Sequence, residues 1–86
     1  MPKVDEVLEQ RGKRYGQFCD HAEITQALKR IMQTTDNWYG LSADKQEALE
    51  MIQHKVARIL NGDPEYADNW IDIAGYSTLV AETLTK

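Results

Sequence analysis

The stretch GDPEYADNWIDIAGYSTLV, residues 62 to 80, decides how the chain is read. Asp63 followed by Pro64 is a helix start: aspartate caps free amides, and proline fits the first helical position. One face then carries Tyr66, Trp70, Ile73, Ser77, Val80 and Leu84, and another carries Ala67, Ile71 and Ala74. A helix that is apolar on two faces is expected to lie between partners. Asp72 sits in the middle of it, one turn after Asp68. A carboxylate in such a helix needs a cation, a metal or a hydrogen-bond donor beside it.

Immediately upstream, Asn61 and Gly62 suit the C-terminal cap of a preceding helix. That helix begins at Ser42, with Asp44 in its first turn. Its apolar stripe is Ala48, Leu49, Ile52, Val56 and Ile59. The short connection makes the two helices an antiparallel hairpin. Further back, Asp20 followed by Glu23 resembles a capping box, and Ile24, Ala27, Leu28 and Ile31 recur at helical spacing. At the start, Val4, Val7 and Leu8 share one face, and Gly12 ends that element. The expected helices are about 3–11, 21–34, 42–60 and 64–84. The fold class is all-α: a small four-helix bundle with a C-terminal helical hairpin, forming one domain over residues 1–86.

Composition narrows the function. With 86 residues and 42% hydrophobic content, the chain is near the lower limit for a self-sufficient core, so a homo-oligomer is expected. A net charge of −4 disfavours bulk nucleic-acid binding but leaves room for a local anion site. The single cysteine, Cys19, fits a reducing compartment. The segment MPKVDEVLEQ has no apolar core of a leader, and no apolar run approaches membrane-spanning length. A cytoplasmic location without membrane contact follows as an expectation.

Two constellations carry chemistry. On the third expected helix Glu47, Glu50 and His54 share a stripe, and on the fourth Glu65, Asp68 and Asp72 do the same. Facing each other, such stripes would suit magnesium, a hard cation that takes carboxylate, water and phosphate oxygens. The competing reading is ion pairing. A tight turn at residues 61 to 63 sets Arg58 level with Glu65, Lys55 with Asp68 and Met51 with Asp72. Lys55 can also reach Asp72. The second constellation is the loop GKRYG, where Arg11, Lys13 and Arg14 cluster beside Tyr15 and two glycines. Glycines let an anion approach the backbone, cations contact phosphate, and Tyr15 or Phe18 could stack on a base. Its alternative is a helix end with solvated charges and packed aromatics. His21 is expected exposed and idle, Cys19 and His21 are too few for a zinc site, and Trp38 is expected in the core.

The blocks RGKRYG, KQEALEMIQHKVARILNGDP and ADNWIDIAGYSTLVAETL together resemble a family of small phage and prophage proteins of unknown function. More distantly the pattern is similar to the MazG-like all-α nucleotide pyrophosphohydrolases. That resemblance implies a magnesium-dependent attack of water on a nucleoside triphosphate, releasing pyrophosphate, in an oligomer of helical bundles. It maps Glu47 and Glu50 onto an ExxE motif and Asp72 onto the Asp of ExxD. The Glu of ExxD falls on Asn69, with Asp68 one position earlier. On this reading Glu47, Glu50, Asp68 and Asp72 hold the metal, and Lys55 and Arg58 neutralise phosphate charge. Lys13, Arg14 and Tyr15 would contact the nucleotide. The alternative is a non-catalytic protein that binds a host or phage protein, its carboxylates in structural ion pairs.

Overall fold

A computed structural model describes residues 2–85, with side chains from Val4 to Thr85. The chain is all-α, and five helices follow in order: α1 Pro2–Tyr15, α2 Phe18–Met32, α3 Asp36–Gly40, α4 Ala43–Asn61 and α5 Ala67–Leu84. No described helix is long and apolar enough to cross a membrane.

The architecture is a row of three antiparallel helices with α4 in the centre. α5 packs on one side of α4 and α2 on the other, while α1 closes one end. The sequence pattern places the sandwiched helix last, but the structure sandwiches α4 instead. Its apolar side, with Ala48 and Ile59, meets α5. Its other side carries Gln46, Glu50, Gln53, His54, Ala57 and Asn61, and this mostly polar side packs toward α2 and α1. Amphipathic periodicity registers only the first side, because it equates polar with exposed.

The consequence is a polar interior. Trp38, Ala48 and Ala57 are the buried apolar residues, alongside buried His21, Thr25, Gln53, Lys55 and Asn69. Asn69 is 1% exposed, the most enclosed of these polar side chains. Trp38 is in the core as its size suggests. It belongs to α3, a one-turn helix inside a segment read as a loop. Gln46 Nε2 donates to the Trp38 carbonyl at 2.9 Å and pins α3 to the start of α4.

Helix boundaries shift for local reasons. α1 runs through Gly12, since a lone glycine costs only about 1 kcal/mol in a helix, and stops at Gly16, whose φ is +78°. α2 begins at Phe18, ahead of the Asp20–Glu23 pair, with Gln17 at its cap. Ser42 occupies the N-cap of α4, but its hydroxyl donates to Asp44 Oδ1 at 2.5 Å rather than capping a backbone amide. Asp63 does not cap α5. Its Oδ1 accepts the Glu65 amide at 2.9 Å in a turn, and α5 starts at Ala67 after Tyr66.

One joint ties the ends of this arrangement together. Asn61 Nδ2, at the end of α4, donates to the carbonyls of Tyr15 at 2.8 Å and Gln17 at 3.0 Å. The Asp63 amide donates to the Arg14 carbonyl at 2.6 Å. Backbone meets backbone here, so side chains must be missing. A Cβ on Gly16 would collide with the Asn61 carbonyl, and one on Gly62 with the Arg14 carbonyl. The glycines of RGKRYG and NGDP are thus two halves of one contact.

Candidate functional site

That joint brings the basic loop of the sequence onto α4. The last turn of α1, the start of α2 and the second half of α4 enclose an open cleft of about 740 Å³. Arg11, Lys13 and Tyr15 come from α1, Phe18 and His21 from α2, and His54 and Arg58 from α4. Arg58 lies with its guanidinium 4.3 Å from the centre of the Tyr15 ring, and Arg11 approaches the same ring at 5.7 Å. Cation–π contact orients each planar guanidinium and leaves its N–H groups free for another acceptor.

Phe18 stands at the mouth, 80% exposed, and stacks loosely on His21 with the planes 28° apart. Below it the His21 and His54 rings meet edge to face, with centres 4.6 Å apart. Burial first, then the Arg58 charge, lower the pKa of His21. The same causes, with His21, Lys55 and Lys29 adding to them, bring His54 down to about 4. Both imidazoles are therefore neutral at pH 7 and can accept a hydrogen bond. The cleft carries three cations against Glu9 alone, in a chain whose net charge is −4. Lys13 pairs with Glu9 at 3.8 Å, but both are solvated, so that pair is weak.

The remaining candidates fall elsewhere. Arg14 points away from the cleft, over the Tyr66 ring at 5.0 Å, and donates to the Tyr66 hydroxyl at 3.3 Å. That hydroxyl donates to Asp68 at 3.0 Å. Lys55 is buried on the α5 side and holds Asp72 at 2.9 Å. The partner of Asp72 is thus a lysine, one turn out of the register expected from a tight turn. Residues 62–66 form a longer connection, which delays α5 and moves Asp72 from Met51 to Lys55.

Glu50 pairs with Lys29 of α2 at 3.8 Å, on the opposite side of α4 from Asp72. Glu47 is exposed. Within one chain the four carboxylates do not converge, and no group of three or more metal-ligating side chains occurs among the described residues. Their geometry does not fit a magnesium ion held by a single copy.

The cleft unites Lys13, Tyr15 and Phe18 of the basic loop region with Arg58, and adds His21 and His54, which the sequence does not point to as cleft residues. His21 is buried rather than idle. A signal existed: His54 and Arg58 are four apart, and Phe18 and His21 three apart, so each pair shares a helix face. Nothing in the sequence showed that those faces meet.

Fold and cleft together define a small helical bundle with a basic, aromatic-lined opening at one end. The chain belongs to the family described as Domain of unknown function (DUF6378), which matches it over residues 2–84. No curated protein and no solved structure matches it.

Proposed function

We propose that this protein binds a nucleotide, or a similarly phosphorylated aromatic compound, in the cleft between α1, α2 and α4. One observation carries the reading: Arg58 from the HKVAR block and Arg11, Lys13 and Tyr15 from RGKRYG line the same opening. Arginine forks suit phosphate oxygens, and the exposed Phe18 ring offers a stacking surface for a base. The neutral His21 and His54 rings supply acceptors for the exocyclic amines of a base.

Isothermal titration with nucleoside triphosphates and with inorganic pyrophosphate tests this. Binding is expected for both, tighter for the nucleotides. Arg58→Ala should weaken both ligands at least tenfold, whereas Phe18→Ala should weaken only the nucleotide. Absence of heat with every nucleotide would defeat the reading.

The further-reaching form, magnesium-dependent release of pyrophosphate, requires the carboxylates to leave their present partners or to be completed by another copy. Pyrophosphate release from a panel of triphosphates with magnesium checks it. A second reading, a non-catalytic protein that docks a host or phage protein, is favoured by the Lys55–Asp72 and Lys29–Glu50 pairs. It expects neither nucleotide heat nor turnover.

A further inference from the structure

The chain has more surface than a closed monomer of its size. At 9.9 kDa a folded monomer exposes about 5,200 Å², yet this chain exposes 6326 Å². Its radius of gyration is 15.0 Å, where a compact domain of this length has about 12 Å. Part of the excess lies on α1, whose residues 4–11 are all exposed. A standard dimer interface removes about 800 Å² from each partner.

One face is built to receive that burial. The less exposed residues of α5, Asn69, Asp72, Ile73, Tyr76 and Val80, share the side that faces α4, where Lys55 holds Asp72. Roughly a quarter-turn around the helix runs a second stripe at heptad spacing: Ala67, Trp70, Ala74, Ser77, Ala81 and Leu84. All six are exposed, Trp70 by 56% and Leu84 by 65%. None is charged, although α5 carries Asp68, Asp72 and Glu82. The three acids lie on the other side of the helix, away from the seam. Trp70 is fixed although exposed, because its Nε1 donates to the Pro64 carbonyl at 2.9 Å.

The stripe fits a reversed copy of itself. If two α5 helices lie antiparallel about a two-fold axis through the helix midpoint, residue numbers across the seam sum to about 151. Trp70 then faces Ala81 of the second copy, Leu84 faces Ala67, and Ala74 faces Ser77. Every large side chain meets a small one, twice over, as an isologous contact requires. Large-opposite-small packing lets helices approach closely and fill the space between them. A random exposed stripe has no reason to be complementary to its own reverse.

We infer that the Ala67–Leu84 seam of α5 is a homodimer interface whose occupant is the α5 of a second copy, running antiparallel. This stands independently of the ligand reading above, since the cleft lies on the α1–α2 side of α4.

Sedimentation of the full chain tests it. A dimer is expected at micromolar concentration, and Ala74→Glu should weaken it at least 100-fold while circular dichroism shows the helices intact. The position is exposed in the single chain, so the variant still folds. Register is read on a Cys19→Ser background by mixing an Ala74→Cys chain with a Ser77→Cys chain. The mixed disulfide should form in preference to either self-paired species. A chain that sediments as a monomer overturns the inference. So does a dimer that ignores Ala74→Glu, or one whose cysteines fail to pair across the seam.

Discussion

The two sides of α4 solve the same packing problem with opposite chemistry. Toward α5 it presents Ala48 and Ile59, with one half-buried ion pair between Lys55 and Asp72. Toward α2 and α1 it presents Glu50, Gln53, His54 and Asn61. Apolar burial is non-directional and tolerates sliding; hydrogen bonds and ion pairs do not. The α5 side therefore supplies most of the apolar cohesion, while on the other side Asn61, bonded to the Tyr15 and Gln17 carbonyls, fixes where α4 meets the α1–α2 connection. The cleft lies on the polar side, next to that asparagine joint.

That contrast is open to attack in a graded way. The largest effect is expected at the glycine joint. Gly16→Ala and Gly62→Ala each force a Cβ into backbone, so either should cost about 3 kcal/mol or more. Urea denaturation followed by circular dichroism measures it, and a loss under 1 kcal/mol would show that the joint yields.

Next comes the α5 side. Asp72→Ala leaves the buried Lys55 ammonium without a counter-charge and should cost about 2 kcal/mol, less than a fully enclosed pair because Asp72 is half open. Adding Lys55→Met should recover much of that loss. A double variant as unstable as the single would mean that the lysine has another role.

Titration probes the α2 side. His21 and His54 have folded pKa values below the unfolded value of about 6.5, so folding favours their neutral forms. Their contribution is complete above pH 6.5 and is lost as the pH falls toward about 4, where His54 itself protonates. The urea midpoint should decline across that window, and His54→Leu should flatten the decline. The smallest effect belongs to Glu50→Gln, which removes a long, part-exposed pair and should change stability by under about 1 kcal/mol.

How far the sequence reached follows the same division. The all-α class, the antiparallel hairpin and the burial of Trp38 were legible, because helical period and capping chemistry are local signals. The polar flank of α4 was not. Periodicity draws Glu47 and Glu50 as solvent-facing unless another helix or a second subunit covers them, and α2 is the helix that covers Glu50 and His54. In the site, Lys13, Tyr15 and Arg58 announce themselves by residue type. His21 and His54 lie 33 positions apart in sequence, and only the tertiary fold places their rings together. The Lys55–Asp72 partnership was within reach, but its exact level depended on how many residues the connection consumed before α5 began.

The joint between Arg14 and Asp63 spans 49 positions and is made of main chain and the single side chain of Asn61. The amino-terminal helix can dock only once the α4–α5 corner exists, so it should be the last piece to settle and the first to fray. One wall of the binding opening belongs to that helix. Its release would dismantle the opening without unfolding the rest, and amide exchange at Asp63 would report each such excursion.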